Sequence, residues 1–392
     1  MSETTFSVQQ VTTGPKHHWF GYYEKFPWDQ TGQYLLAMEV DFAGRQPTAA
    51  DTIDLGRIDT QNGNRFEPFA ETTAWCWQMG CMLQWLPNAV DPEVIYNVRR
   101  GDTYESVIHN LDSGEKRELP RAIFCLLPDG KSALCANFAR LDITRPGYGY
   151  VGIPDPFEDE LAPERDGVWR MDLETGESEL ILSLATLAST EPSDDMEGAL
   201  QWVNHIQINT DGTRFAMLHR YRRLDKRGHV TRLFTCAVAG SDLYCLNPNR
   251  KTSHYDWRDP DHILAWARTP DSSKEEPVHR YVLFTDRSNQ YELVGDGILT
   301  TDGHCSWSPD QRWFLSDTYP GREDPKQILF LYEPATDRRV ELGRFLSPPE
   351  FTGDWRCDLH PRWSRDGRAV CFDSAMDGTR QLYIIDVGTV TP

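Results

Sequence analysis

Short apolar runs separated by Gly-, Asn- and Asp-bearing turns dominate the hydrophobic pattern of this chain, and long amphipathic periods do not. Tyr34-Leu35-Leu36-Ala37-Met38, Phe215-Ala216-Met217-Leu218 and Trp313-Phe314-Leu315 have the length and composition of buried strands. Four further runs end in an acidic residue just before a turn signal. They are Arg57-Ile58-Asp59 before Asn62-Gly63, Ile108 to Asp112 before Ser113-Gly114, Trp169 to Asp172 before Thr175-Gly176, and Leu283 to Asp286 before Ser288-Asn289. Each predicts a hairpin, and the rhythm predicts an all-β protein.

One stretch sets the phase of this rhythm. Gly303-His304-Cys305-Ser306-Trp307-Ser308-Pro309-Asp310 returns in diluted form as Asn204-His205 through Asp211, as Ser253-His254-Tyr255-Asp256-Trp257 and as Leu359-His360 through Asp366. Copies without the histidine begin at Tyr23, Met82 and Ile123. Seven copies at intervals of roughly forty to sixty residues, with one longer gap, match one four-stranded blade apiece. The chain stops soon after Leu382 to Asp386, leaving the last unit one outer strand short, while Thr5 to Val11 alternates like a strand ahead of the first copy. The expectation is a seven-bladed β-propeller spanning 1–392 as a single domain, its N-terminal strand closing the last blade and removing the open edges.

Two segments break the pattern. Residues 140–165 carry Thr144-Arg145-Pro146-Gly147-Tyr148-Gly149-Tyr150, too rich in Gly and Pro for a blade strand and expected as an ordered lip at the channel mouth. Ala185 to Glu197 is acidic and polar, and reads as a solvated excursion with a helical turn.

Composition narrows the function classes. A net charge of -20 argues against a general nucleic-acid binder, so an anionic ligand must be held by a local basic patch or a metal. No basic region followed by an apolar segment opens the chain, and nowhere do enough apolar residues run together for a membrane span, so the expectation is a cytoplasmic protein with no membrane partner. Nine cysteines, an odd number lying in strand-like segments without a CxxC pair, are expected as reduced core residues. Oligomeric state is not indicated.

In a propeller the innermost strands run beside the central axis, so residues in phase meet at the channel. His205, His254, His304 and His360, from four successive blades, are therefore expected to form an arc that can hold a divalent metal (Mn, Ca or Zn), the alternative being four packing residues bonded to the next blade. His304 and Cys305 should point opposite ways. The densest basic stretch, His219-Arg220-Tyr221-Arg222, puts His219 and Tyr221 on one side and Arg220 and Arg222 on the other, a grouping suited to acid/base chemistry on an acidic sugar. His18 and Tyr23 at the first blade, Arg145, Tyr148 and Tyr150 in the insertion, and Arg356 and Arg362 around His360 are candidate substrate-binding residues. Trp85, Trp257, Trp307 and Trp363 share the apolar phase position and are assigned to the core.

The Trp-Ser-Pro-Asp and Trp-Ser-Arg-Asp-Gly copies resemble TolB-like propeller repeats. Asn204-His205 through His219, Asp302 through Ser308 and Asp358-Leu359-His360-Pro361 resemble the seven-bladed polysaccharide lyases, namely the oligogalacturonate lyases and also the ulvan lyases. In oligogalacturonate lyases a divalent metal held by histidines and a glutamine binds the uronate carboxylate, and a histidine removes the C5 proton. The resemblance implies His304 and His360 as metal ligands and His219 as the base, helped by an arginine. The family's Gln-x-x-His-x-His becomes Cys357-x-x-His360-x-Arg362 here, altering two ligand positions. Ulvan lyase-like sites use His, Tyr and Arg, which Tyr221 or the Tyr148/Tyr150 loop could match. The reading is a lyase that cleaves an acidic, uronate-containing oligosaccharide by β-elimination. Its alternatives are a noncatalytic propeller binding a protein or glycan, and an epimerase or hydrolase acting on the same sugar.

Overall fold

The computed structural model describes residues 6–269, 271–273 and 277–391; Met1 to Thr5, including the first residue of the expected closing strand, lie outside them. Seven four-stranded antiparallel sheets follow one another along the chain, a seven-bladed β-propeller. Blade 1 spans residues 17–72, blade 2 84–119, blade 3 123–183, blade 4 199–247, blade 5 252–294 and blade 6 306–346. Blade 7 takes three strands from 362–386 and its fourth from Val8–Gln10, paired Val8 to Ile385 and Gln10 to Tyr383. The expected closure is thus made by a strand shorter than the run suggested. All four hairpins form, for example Ile53–Asp59 with Phe66–Thr72 and Gly167–Asp172 with Ser178–Ser183. Among the described residues no helix is long and apolar enough to cross a membrane.

The repeated motif has a physical meaning at each of its positions. The phase tryptophans fasten one blade to the preceding one: indole Nε1 of Trp85 donates to the Pro27 carbonyl at 2.8 Å, that of Trp257 to Gln207 at 3.3 Å and that of Trp363 to Ser306 at 3.2 Å. Ser and Asp further along tie the hairpin turn. Ser308 Oγ accepts from the Trp313 amide at 2.9 Å, and Ser364 Oγ from the Ala369 amide at 2.9 Å, while Asp310 and Asp366 accept from Arg312 and Arg368 amides. Such side-chain acceptors satisfy turn amides that the ladder leaves open.

Residues 140–165 are organised around one buried guanidinium. The helix Phe138–Thr144, capped by the Asn137 side chain, presents Arg140 to Asp155 at 2.8 Å and to the carbonyls of Gln201, Phe157, Glu160 and Leu161. Glycine is required at 149, where a Cβ would lie 1.9 Å from the Asp142 amide nitrogen. The acidic excursion forms the short helix Leu184–Ser189 and a 3-10 turn at Asp194–Met196. All nine cysteines are buried and unbridged.

Candidate functional site

The four phase histidines meet at the channel. The His304 ring centroid lies 4.2 Å from that of His254 and 4.4 Å from that of His360, and Tyr22 sits among them, stacked on His205 at 4.7 Å and edge-on to His360 at 4.7 Å. Local backbone geometry aims them. His205 has φ 53° inside a register shift of its strand pair, and His360 has φ 40°. A bulge or left-handed residue turns a strand side chain out of the plain alternation, here toward the axis. The expected alternation still separates His304 from Cys305, whose thiol is fully buried and pushed well up by that burial.

The histidines divide into two kinds. His304 Nδ1 lies 2.9 and 3.0 Å from the two Asp317 oxygens and its main-chain amide donates to Asp317 at 2.7 Å, so Nε2 faces the cluster with no hydrogen-bond partner among the described residues. Burial opposes its protonation, yet Asp317 outweighs burial and raises its pKa. His254 Nδ1 bonds Asp302 at 2.9 Å; burial dominates there and lowers its pKa. His205 and His360 are held well below the usual imidazole range, first by burial and then by neighbouring cationic and imidazole groups, so both are neutral at pH 7. Neither ring nitrogen of His360 has a hydrogen-bond partner among the described residues, the Asp358 carboxylate lying 3.9 Å from Nε2. Gly303 allows this packing, because a Cβ would meet the Asp317 carbonyl oxygen at 1.9 Å.

His304, His360 and Asp358 bring one donor atom each within 4.8 Å of the others, all three buried. Two imidazole nitrogens without partners and a carboxylate are a donor set that fits a divalent ion. His205 and His254 lie outside that group, His205 turned against Tyr22 and His254 toward Tyr319. Cys357, at the altered glutamine position, packs with Phe351 and Ala375 instead, and Asp358 supplies the third donor one residue further on.

Three arginines gather around Tyr148. Among the described residues, buried Arg220 has no hydrogen-bond partner at Nη1 and Arg145 none at Nε. Arg356 bonds Asp358 at 2.7 Å and donates from Nη2 to the Tyr148 hydroxyl at 2.9 Å. The Arg145 guanidinium stands 5.0 Å over the Tyr148 ring, which lies edge-on to His205 at 5.4 Å. Burial raises the Tyr148 pKa, but the Arg356 and Arg145 charges outweigh it and the phenol falls below its ordinary value.

Several expected site residues are elsewhere. His219 is on the far face of its strand from Arg220, its Nδ1 accepting from Arg232 at 3.1 Å; the alternation expected for this run holds, and it turns the histidine away from the channel cluster. Tyr221 shares that face, bonded to Asp195 and Ser193, and Arg222 is nearer the hairpin tip, beside His229. His18 spends one ring nitrogen on Gln381 at 3.0 Å and the other on Glu39 at 2.8 Å. Tyr150 is core, stacked on Phe138 at 4.2 Å with its hydroxyl on Asn97. Arg362 is buried against Asp373 at 2.8 Å and the Gly21 carbonyl at 2.7 Å, so it positions the backbone ahead of Tyr22. Tyr23 bridges the channel, donating to the Tyr255 carbonyl at 2.9 Å and accepting from the Tyr255 amide at 3.0 Å. Tyr22, Asp302, Asp317 and Tyr319 join the site from outside the expected set. Tyr22, next to Tyr23 in the first copy, and Asp302, two residues before His304, carry a local signal, and Asp317 and Tyr319 carry none.

Fold and cluster together define a seven-bladed propeller with a polar, histidine-rich channel end. Among solved structures, this fold is similar to oligogalacturonate lyase from Vibrio parahaemolyticus, with TM-score 0.67 and 13% identity over 98% of this chain and 95% of that one. An oligogalacturonate lyase in complex with manganese matches with TM-score 0.67 and 14% identity, over 98% and 94% of the two chains. The propeller domain of the Trilobed protease from Pyrococcus furiosus matches at TM-score 0.52 and 10% identity, over 93% of each. No family model and no curated relative matches the chain.

Proposed function

We propose that this protein is a lyase that cleaves a uronate-containing oligosaccharide by β-elimination at the histidine cluster. The observation that carries the reading is the juxtaposition of a cation-holding group, His304, His360 and Asp358, with two arginines that carry open N–H groups, Arg220 and Arg145, around Tyr148, itself bonded to Arg356. A carboxylate whose α-proton must be removed needs both: positive charge where negative charge develops, and a base beside it. A divalent ion at His304, His360 and Asp358, of which manganese in the similar lyase is the natural first trial, supplies Lewis-acid polarisation when bound.

Arg220 and Arg145 hold the uronate carboxylate and favour the enolate-like charge that forms as C5 loses its proton. Tyr148 accepts that proton, its phenolate form favoured by the Arg356 hydrogen bond and the Arg145 charge. The electron pair of the broken C5–H bond forms the C4–C5 double bond, the C4–O bond breaks, and Tyr148 returns the proton to the departing oxygen. His205 and Tyr22 wall the base from water. Asp302-backed His254 is the second candidate for the base. Incubation with pectic, ulvan and glycosaminoglycan oligomers, with and without Mn²⁺, should yield the ultraviolet absorbance of a 4,5-unsaturated uronate. Tyr148→Phe should lower kcat with little change in KM, whereas no unsaturated product from any of these substrates would sink the proposal.

A further inference from the structure

Past Tyr23, the channel opens at its other end into a cavity of about 640 Å³ lined by all seven blades. That volume is in the range of small-ligand pockets. Its wall holds buried polar atoms that the fold leaves without partners among the described residues: Glu24 Oε2, Gln207 Oε1, Ser306 Oγ and Trp307 Nε1. The Glu24 side chain is 8% exposed, with its other oxygen 3.1 Å from Lys25 Nζ, and Ser306 is 8% exposed. Asp256, also in the wall, spends its carboxylate on the Gln207 amide group and on the Trp307 main-chain amide at 2.6 Å. Trp307 is the exception among the four phase tryptophans, since the other three donate to the preceding blade.

We propose that this channel end is a binding site for a neutral polyhydroxylated ligand, a sugar residue bearing no carboxylate or sulfate. The inventory of open groups selects that class. Two acceptors, one hydroxyl and one indole N–H are complemented by a molecule whose every polar group both donates and accepts, which is the property of an alcohol. An anion would face Glu24, and the wall's cations are already engaged, Lys25 by Glu24, Arg258 by Asp259 and Arg365 by the Trp28 and Asp29 carbonyls. A bare metal ion would leave the Trp307 N–H unmatched and would fill a small part of the space. An apolar ligand would leave every one of these groups desolvated and unpaired. The site stands on residues separate from the histidine cluster and does not depend on the uronate reading.

Saturation-transfer NMR and calorimetry with neutral monosaccharides and their short oligomers test it, with Ca²⁺, Mg²⁺ and a uronate as comparison probes. Saturable binding of a neutral sugar is expected. Ser306→Ala, which removes a hydroxyl with no hydrogen-bond partner among the described residues and so leaves the fold intact, should weaken it about two- to tenfold, and Glu24→Gln about tenfold or more, as for neutral and charged hydrogen bonds. His304→Ala should leave this affinity unchanged. The proposal is overturned if no neutral sugar binds, if binding survives both cavity variants unaltered, if His304→Ala abolishes it, or if only the metal ions or the uronate bind in an E24Q-sensitive way. None of those results touches the lyase assay, so the two readings fail separately.

Discussion

Replacing Asp317 by Asn tests the cation-holding half of the site without touching a donor atom. A carboxylate can only accept, so Asp317 fixes the proton of His304 on Nδ1 and leaves the Nε2 lone pair facing His360. An asparagine can keep the 2.7 Å bond from the His304 main-chain amide with its oxygen. Its NH₂ group then stands in the Oδ2 place, 3.0 Å from Nδ1, as a donor where the carboxylate offered an acceptor, which favours the tautomer with hydrogen on Nε2, unable to coordinate. Loss of such an outer partner costs about 10–100-fold in metal affinity, equivalent to about 1.4–2.8 kcal/mol. Calorimetric titration with Mn²⁺ should show that weakening in Asp317→Asn, with binding abolished in His304→Ala and in His360→Ala. Equal Mn²⁺ affinity in the wild type and Asp317→Asn would refute the tautomer argument, and Mn²⁺ binding that survives loss of both histidines would remove the ion from this site.

Three other outcomes follow from single contacts. Arg140→Met strips the guanidinium from Asp155 and four carbonyls and should destabilise the protein by about 3–5 kcal/mol, as for a broken buried ion pair, with early proteolysis within 140–165 as the direct readout. Tyr23→Phe removes both bonds to the Tyr255 main chain and should cost about 1–3 kcal/mol in denaturant unfolding. Burial, helped by Glu24, raises the Asp256 pKa from 3.8 to about 7; the folded state therefore keeps a proton that the unfolded chain releases, and this contribution to stability is full below about pH 4 and lost as pH rises through about 7. Asp256→Asn should accordingly gain in Tm relative to the wild type most above pH 7 and least near pH 4, and a pH-independent difference would disprove the assignment.

The fold was legible because its two signals are local. A phased apolar residue, Trp in blades 2, 5, 6 and 7, and a Ser, Asn or Asp near the turn mark the blades, and in blades 2, 5 and 7 the Trp also fastens one blade to the preceding one. Convergence of the four histidines was legible for the same reason, as ring closure puts in-phase positions side by side. Side-chain direction inside a blade was half legible: alternation correctly divided His219 from Arg220, but nothing in the run says which face looks inward. Partners contributed by neighbouring loops and strands were not legible. Asp317 pairs with His304 through the hairpin of its own blade, and Tyr148 reaches Arg356 from more than two hundred residues away. Neither pairing leaves a pattern along the chain. Arg362 shows the converse, a residue at a ligand position in the family's motif whose two terminal nitrogens bond Asp373 and the Gly21 carbonyl.

Backbone strain at the site belongs to the repeat before it belongs to the chemistry. His205 and His360 adopt φ of 53° and 40°, and Met82, in the same phase position of blade 2, adopts 57° with no polar role to serve. A non-glycine residue in this region costs about 1–2 kcal/mol, and surrounding structure must impose it. Blades 3, 4 and 5 also slip register at or beside this position, at Ile123/Cys125, Asn204/Gln207 and Thr252/Tyr255. The kink thus recurs where the innermost strand meets the channel, and a histidine placed on it is aimed at the axis whichever blade carries it. Chemistry was added to a geometry the propeller already possessed, so substituting His205 or His360 by Met should spare the fold, as Met82 does in blade 2, while removing the imidazole. A variant of either histidine that failed to fold would show instead that the imidazole itself holds the kink.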